Sequence, residues 1–178
     1  MKKLKNVLVV CDSADGTGKT KLAQFLIEKY RFNYWHHGVY QDVKLAHLDC
    51  LATVEKTMDK YGYNWYIDRL FLSEYVYGTI FRNGPAYDYH WMEDVVKSLF
   101  KKYQLIICKP PKDLVVKKHA ERLAQGDEEF NTVEKVYDLY DEVSKDPALD
   151  PYIFDYTEDP DYSKLSQFLE EKFGDKDE

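Results

Sequence analysis

A short apolar run near the start of the chain leads directly into a turn that is rich in glycine. Residues 7–11 are all apolar, as expected for a strand that is buried on both faces. The turn then reads Ser13-Ala14-Asp15-Gly16-Thr17-Gly18-Lys19-Thr20, and apolar residues recur at helical spacing over residues 18–30. A strand, a glycine-rich turn and a helix in this order predict a loop whose backbone N–H groups surround a phosphate.

The residues of this phosphate loop (residues 13–20) each have a role in binding ATP. Gly16 and Gly18 let the backbone curl inward, Lys19 reaches the outer phosphates, and the Thr20 hydroxyl can coordinate Mg²⁺. The usual pattern begins with glycine, but Ser13 stands there, which costs of the order of 1 kcal/mol only if its φ is positive. The alternative is a glycine turn that merely caps a helix, and the flanking strand and helix favour the phosphate loop.

The rest of the chain alternates short apolar runs with longer amphipathic segments. We predict strands at residues 7–11, 32–36, 64–68, 104–108 and 152–154. We predict helices at residues 18–30, 43–58, 71–81, 91–100, 114–123, 133–140 and 165–173. This alternation predicts an α/β fold: one domain over residues 1–178, with a five-stranded parallel sheet and helices on both faces in three layers. Ligands in such folds bind at the carboxyl ends of the strands.

The third predicted strand ends in the charged pair Asp68-Arg69. Asp68 would emerge beside the phosphate loop and could hold Mg²⁺ through water, and Arg69 could clamp a phosphate with two hydrogen bonds. A surface ion pair is the simpler explanation for such a pair on its own. Together with the phosphate loop, the pair indicates a site for two phosphate groups, as phosphoryl transfer requires.

Composition and charge narrow the classes of partner. The chain has 32 acidic and 25 basic residues and a net charge of −7, which argues against a nonspecific grip on nucleic acid but leaves room for a local basic groove. Its apolar runs are far shorter than a transmembrane helix or a signal peptide needs, so we expect no membrane partner. Cys11, Cys50 and Cys108 lack the spacing of a metal site and favour the reducing cytoplasm.

Several segments together resemble thymidylate kinases. The stretch Asp12-Ser13-Ala14-Asp15-Gly16-Thr17-Gly18-Lys19-Thr20 is similar to their Glu-Gly-x-Asp-Gly-x-Gly-Lys-Thr loop. Residues 68–78 resemble the Asp-Arg-x-x-x-Ser-Glu-x-Val-Tyr-Gly segment of thymidylate kinase-like proteins of bacteriophages, and His36-His37-Gly38 stands at their His-x-Gly turn. Residues 122–128 resemble their lid. The resemblance spans residues 7–140 and implies a P-loop nucleoside monophosphate kinase that uses ATP and Mg²⁺.

The resemblance also implies roles for single residues. Asp15 would contact the sugar of the acceptor, Arg69 would bind its phosphate, and Arg82 would assist. We expect the catalytic residues to be Lys19, Asp68, Arg69 and Arg122, and the metal ligands to be Thr20 and Asp68. We expect the acceptor to be bound by Asp15, His37, Arg69, Phe71, Tyr75, Tyr77 and Arg82. Phe71 and Tyr75 share a helical face, from which they either stack on a base or pack into the core.

The lid is expected at about residues 122–131, where it would close over ATP and bring Arg122 to the transferring phosphoryl group. Gln125 stands where relatives often carry a second arginine. Lys117, Lys118 and His119 lie one turn earlier and could partly replace it.

These patterns predict transfer of the γ-phosphate of ATP to a deoxynucleoside monophosphate, with dTMP or a related pyrimidine as the expected acceptor. Two other acceptors stay open: a deoxynucleoside, and a 5-hydroxymethyl pyrimidine base in DNA, against which the acidic charge weighs. A different class also stays open, namely a non-catalytic or regulatory P-loop protein that binds nucleotide. The expected partner is a small molecule, and the resemblance implies a homodimer.

Overall fold

The computed structural model describes residues 3–126 and 132–174, in which five strands alternate with seven helices. The strands are β1 (Leu8–Cys11), β2 (Phe32–His36), β3 (Asn64–Asp68), β4 (Tyr103–Cys108) and β5 (Tyr152–Phe154). The helices are α1 (Lys19–Tyr30), α2 (Val43–Tyr61), α3 (Phe71–Phe81), α4 (Tyr89–Leu99), α5 (Lys112–Gln125), α6 (Val133–Val143) and α7 (Ser163–Phe173).

The five strands form one sheet in the order β2-β3-β1-β4-β5, and every pair is parallel. The central strand β1 pairs with β3 and β4, so that Cys11 lies opposite Asp68 on one side and Ile106 on the other. All four residues of β1 are buried, as its continuous apolar run predicts. The phosphate loop therefore leaves the middle of the sheet, between the carboxyl ends of its two neighbours.

Helices cover both faces of the sheet, which confirms the predicted three-layer α/β fold. On one face, Val9 and Cys11 of β1 pack with apolar residues of α1 and α7. On the other face, Leu8 and Val10 pack with residues of α2, α3, α4 and α6. The side chains of one strand thus alternate between two buried layers, because neighbouring residues of a strand point to opposite faces.

Five helices begin earlier or end later than predicted, and α2 and α5 show local reasons for it. Helix α2 continues to Tyr61 and ends where Gly62 takes a left-handed conformation with φ +71°. Helix α5 starts directly after Pro111 and ends at Gln125, where Gly126 has φ +79°. Arg122 therefore lies in the last turn of α5. The later part of the predicted lid, residues 127–131, lies outside the described residues.

Within the described part of the chain, every helix is too short or too polar to cross a lipid bilayer.

Candidate active site

The phosphate loop has the backbone conformation that its glycines allow. Gly16 and Gly18 have φ values of +78° and +100°, which side chains disfavour. A Cβ atom at Gly18 would also lie 3.0 Å from the Tyr156 ring. The ammonium of Lys19 donates to the carbonyl oxygens of Ser13 at 2.9 Å and Ala14 at 2.8 Å. The Lys19 side chain is therefore held across the phosphate loop by these two hydrogen bonds.

Ser13 fits the first position of the loop without backbone strain. Its φ lies outside the left-handed region, so a side chain there carries no penalty. Its hydroxyl donates to the Asp12 carbonyl at 2.6 Å and accepts the N–H of Cys108 at 2.6 Å. The departure from glycine thus ties the end of β1 to the end of β4.

Asp12 has a positioning role that the sequence analysis did not assign. Its carboxylate is fully buried and accepts hydrogen bonds from three backbone N–H groups and one hydroxyl at the start of α3. The donors are Leu70 N at 2.8 Å, Leu72 N at 3.1 Å, Ser73 N at 3.2 Å and the Ser73 hydroxyl. Burial raises the pKa of Asp12, and these hydrogen bonds partly offset the rise. Asp12 thus joins the phosphate loop to the helix that follows Asp68-Arg69.

Arg69 is packed between Asp15 and Tyr77. Its φ is +71°, and its guanidinium contacts the Asp15 carboxylate and lies 5.2 Å from the centre of the Tyr77 ring. The Tyr77 hydroxyl donates to Asp15 at 3.1 Å, and the Lys19 ammonium is 3.6 Å from the same carboxylate. Burial raises the pKa of Asp15, but the two cations outweigh it and hold the pKa below its usual value. Asp15 is therefore ionised at neutral pH.

A cavity of about 630 Å³ opens beside the phosphate loop and is called the first cavity. All the predicted catalytic residues and metal ligands line it together with phosphate-loop residues: Lys19, Thr20, Asp68, Arg69 and Arg122, with Asp15, Gly16 and Gly18. Aromatic residues from the segment after β5 also line it, and the sequence analysis missed them. These are Tyr156, whose hydroxyl accepts a hydrogen bond from Lys118 at 2.7 Å, and Tyr162. Both residues are far along the chain from the phosphate loop, so no local sequence pattern indicated that they lie beside it.

Asp68 offers an oxygen that fits a metal ion. Its side chain is 3% exposed, and its Oδ2 atom accepts the Tyr34 hydroxyl at 3.1 Å and lies 3.4 Å from His36 Nδ1. Its Oδ1 atom has no hydrogen-bond partner among the described residues. With the Thr20 hydroxyl on the same cavity, these hard oxygen donors suit Mg²⁺.

A second cavity of about 390 Å³ lies between α2 and α3. Arg69 lines both cavities. Four of the predicted acceptor residues line the second cavity: His37, Arg69, Tyr77 and Arg82. Other lining residues were missed, among them Tyr40, His47, Glu74 and Phe81.

Three predicted acceptor residues do not line the second cavity: Asp15 lines the first cavity, and Phe71 and Tyr75 pack into or against the core. Phe71 is fully buried in the core, so its ring has no free face for a base. Tyr75, one turn later on the same face of α3, packs against the core and meets the Tyr89 ring edge-on at 4.9 Å. The face that reaches the cavity carries Tyr77 and Phe81, whose rings stack at 5.7 Å. Helical spacing grouped the rings correctly but could not tell which face was buried.

The polar groups of the second cavity combine an ion pair with neutral histidines. Glu74 is 5% exposed and accepts hydrogen bonds from Arg82 at 2.6 Å and from the Ala86 N–H at 2.7 Å. Burial lowers the pKa of His37 to about 4 and that of His47 to about 3, so both rings are neutral at pH 7. His47 also contacts the Tyr87 hydroxyl.

Searches by sequence gave no match to a family model or to a curated protein. Solved structures do match. The YorR protein of Bacillus subtilis, solved with phosphorylated GDP, aligns with a TM-score of 0.68 at 17% identity and covers 92% of this chain and 96% of its own. The deoxyadenosine kinase of M. mycoides, solved with dCMP and dCDP, aligns with a TM-score of 0.53 at 15% identity, over 91% and 100%.

A third structure, of a protein from Chloroflexus aurantiacus, aligns with a TM-score of 0.57 at 14% identity, over 95% of this chain and 99% of its own. Identities this low establish a shared fold. The chain therefore shares the fold of these structures, one of which is a deoxyadenosine kinase.

Proposed function

We propose that this protein transfers the γ-phosphoryl group of ATP to a nucleoside monophosphate. The observation that supports the proposal is the position of Arg69, which lines both the first and the second cavity. Phosphoryl transfer depends on holding donor and acceptor phosphates close together and neutralising their charge. An arginine shared by two adjacent cavities meets both needs.

In this proposal ATP occupies the first cavity, with its phosphates on residues 13–20. Lys19 would turn from the loop carbonyls to the outer phosphates, and Thr20 and Asp68 would hold Mg²⁺, which would neutralise charge on the phosphates. Arg69 binds the acceptor phosphate and Arg122, from α5, faces the transferring group. An acceptor phosphate oxygen forms a bond to the γ-phosphorus as the bond from that phosphorus to the β-phosphate oxygen breaks, which releases ADP.

The acceptor site is the second cavity, whose volume of about 390 Å³ suits a single nucleotide. The resemblance predicts dTMP or a related pyrimidine, whereas YorR was solved with a guanine nucleotide and the M. mycoides kinase with cytosine nucleotides. All three are nucleotides. We therefore propose a deoxynucleoside monophosphate as the class of acceptor and treat the base separately below.

The test is ADP release from ATP with deoxynucleoside monophosphates, deoxynucleosides, and oligonucleotides with and without 5-hydroxymethyl pyrimidines. We expect only monophosphates to stimulate it. Arg69→Lys should raise the acceptor KM or lower kcat with little change in ATP affinity, because lysine lacks the two-pronged geometry. Arg31→Lys, on a residue that lines neither cavity, is the matched control.

Two results would contradict the proposal. Nucleotide binding without acceptor-dependent ADP release would indicate a regulatory P-loop protein. If Arg69→Lys loses affinity for ATP but still binds the acceptor, Arg69 belongs to the ATP subsite and not to the acceptor subsite.

We also propose that residues 122–131 act as a lid on a single kinase domain, and that the protein is a cytoplasmic homodimer. Sedimentation analysis would check the dimer.

A further inference from the structure

The second cavity contains a buried carboxylate with hydrogen-bonding capacity to spare. Glu74 is 5% exposed, and its two oxygens accept one hydrogen bond each from the described residues, from Arg82 at 2.6 Å and from Ala86 N–H at 2.7 Å. A carboxylate has about four acceptor sites, so about two remain. A ligand with two N–H groups would fill the two remaining acceptor sites of this carboxylate.

His37 gives a second, independent indication that the second cavity binds a polar ligand. It is 2% exposed and lines the cavity, and neither of its ring nitrogens has a hydrogen-bond partner among the described residues. Native proteins seldom leave such buried nitrogens unpaired.

The walls of the cavity suit a flat ring. Tyr77 and Phe81 stack on each other with an angle of 20° between their planes, and Phe81 remains 47% exposed. Tyr40, whose ring lies 5.6 Å from that of His37, also lines the cavity and is 37% exposed. Exposed aromatic faces beside a cavity stack favourably on heterocycles. A nucleobase is the part of a nucleotide that has such a flat ring.

The four common bases differ in what they offer to this pair of charges. Guanine presents two adjacent donors, N1–H and N2–H, followed by the acceptor O6. Thymine has a single N–H between two carbonyl oxygens, one of which would lie against the carboxylate. Adenine and cytosine place an unprotonated ring nitrogen beside their amino group, which gives one donor position where the carboxylate has room for two.

We propose that Glu74 and Arg82 select guanine as the base of the acceptor, with Glu74 accepting N1–H and N2–H and Arg82 donating to O6. This proposal rests on the proposed function, because it assigns the second cavity to the acceptor nucleotide. It departs from the pyrimidine that the motif resemblance predicts.

The experiment measures binding of dGMP, dIMP, dTMP, dAMP and dCMP to the full chain by calorimetry, and kcat/KM for each with ATP. dIMP differs from dGMP only by the missing 2-amino group, so the ratio of the two isolates the second hydrogen bond to Glu74. We expect dGMP to exceed dIMP by about 10-fold and dTMP by about 100-fold, since a mismatched edge leaves buried polar groups unpaired. Glu74→Gln should bring the dGMP to dIMP ratio close to one.

The control is Glu93→Gln, which removes a charge from an equally buried glutamate of α4 that pairs with Lys97 at 3.0 Å. It should leave the ratio unchanged. A purely structural role of Glu74 would lower all five substrates equally, and that result overturns the proposal. So does a wild-type protein that binds dTMP, dAMP or dCMP as well as dGMP, which also decides the matter if Glu74→Gln does not fold.

Failure of the proposed function is a separate result. If dGMP binds selectively but accepts no phosphate, the base assignment stands and the kinase assignment falls.

Discussion

Replacing Asp12 should destabilise the protein far more than replacing an ordinary helix cap. In Asp12→Ala the buried N–H groups of Leu70, Leu72 and Ser73 lose their acceptor, whereas the Ser73 hydroxyl keeps its contact with Tyr140 at 2.7 Å. Each buried donor left unpaired costs about 1–3 kcal/mol. We therefore expect a loss of about 4 kcal/mol in the free energy of unfolding, a large share of the roughly 5–15 kcal/mol of a typical domain.

Urea denaturation measures this loss, and Asp42→Ala is the matched control. Asp42 caps α2 with one exposed hydrogen bond to Leu45 N at 2.9 Å, so its replacement should cost only about 1 kcal/mol. Asp12→Asn keeps an acceptor oxygen and should fall between the two. If Asp12→Ala is no less stable than Asp42→Ala, the Asp12 carboxylate does not hold the start of α3.

Three other outcomes are expected. Lys19→Ala should abolish most phosphoryl transfer without changing the urea midpoint by much, and near-normal turnover would disprove the phosphate-loop assignment. Arg122→Ala should lower the single-turnover rate with both substrates saturating by about 10³-fold, whereas a change within twofold would rule out a catalytic Arg122. Acid should weaken the fold, because the neutral His37 has a pKa of about 4 instead of 6.5. The contribution of His37 to the free energy of unfolding is complete above pH 6.5 and falls by up to about 3 kcal/mol as the pH drops to 4. In His37→Gln, the free energy of unfolding should fall less steeply over this pH range. An unchanged pH dependence would count against a buried neutral His37.

Much of the fold can be predicted from residues that begin or end strands and helices. Strands β2, β3 and β5 and helix α3 have the predicted bounds, because turn residues or charges delimit each run. Helix α4 begins at Tyr89, two residues before its first predicted apolar position, because the Asp88 carboxylate caps it by accepting the His90 N–H at 2.8 Å. Where the limit of an element depends on a cap and not on apolar spacing, periodicity alone misplaces it.

The candidate site divides in the same way. The phosphate loop and Asp68-Arg69 are local motifs on neighbouring strands, so their meeting could be predicted from the parallel sheet. The face of α3 that lines the second cavity could not be predicted, because Phe71 and Tyr77 differ in burial only through the helices packed around them. Tyr156 and Glu74 were missed for the same reason, since their roles depend on residues distant in sequence or on cavity shape.

Transfer of phosphate between two bound nucleotides can be followed by ³¹P NMR of the reaction. With ATP, Mg²⁺ and dGMP, we expect one dGDP to appear for each ADP formed and inorganic phosphate not to accumulate. Release of inorganic phosphate at the same rate with or without any nucleoside monophosphate, and no diphosphate product, would contradict it.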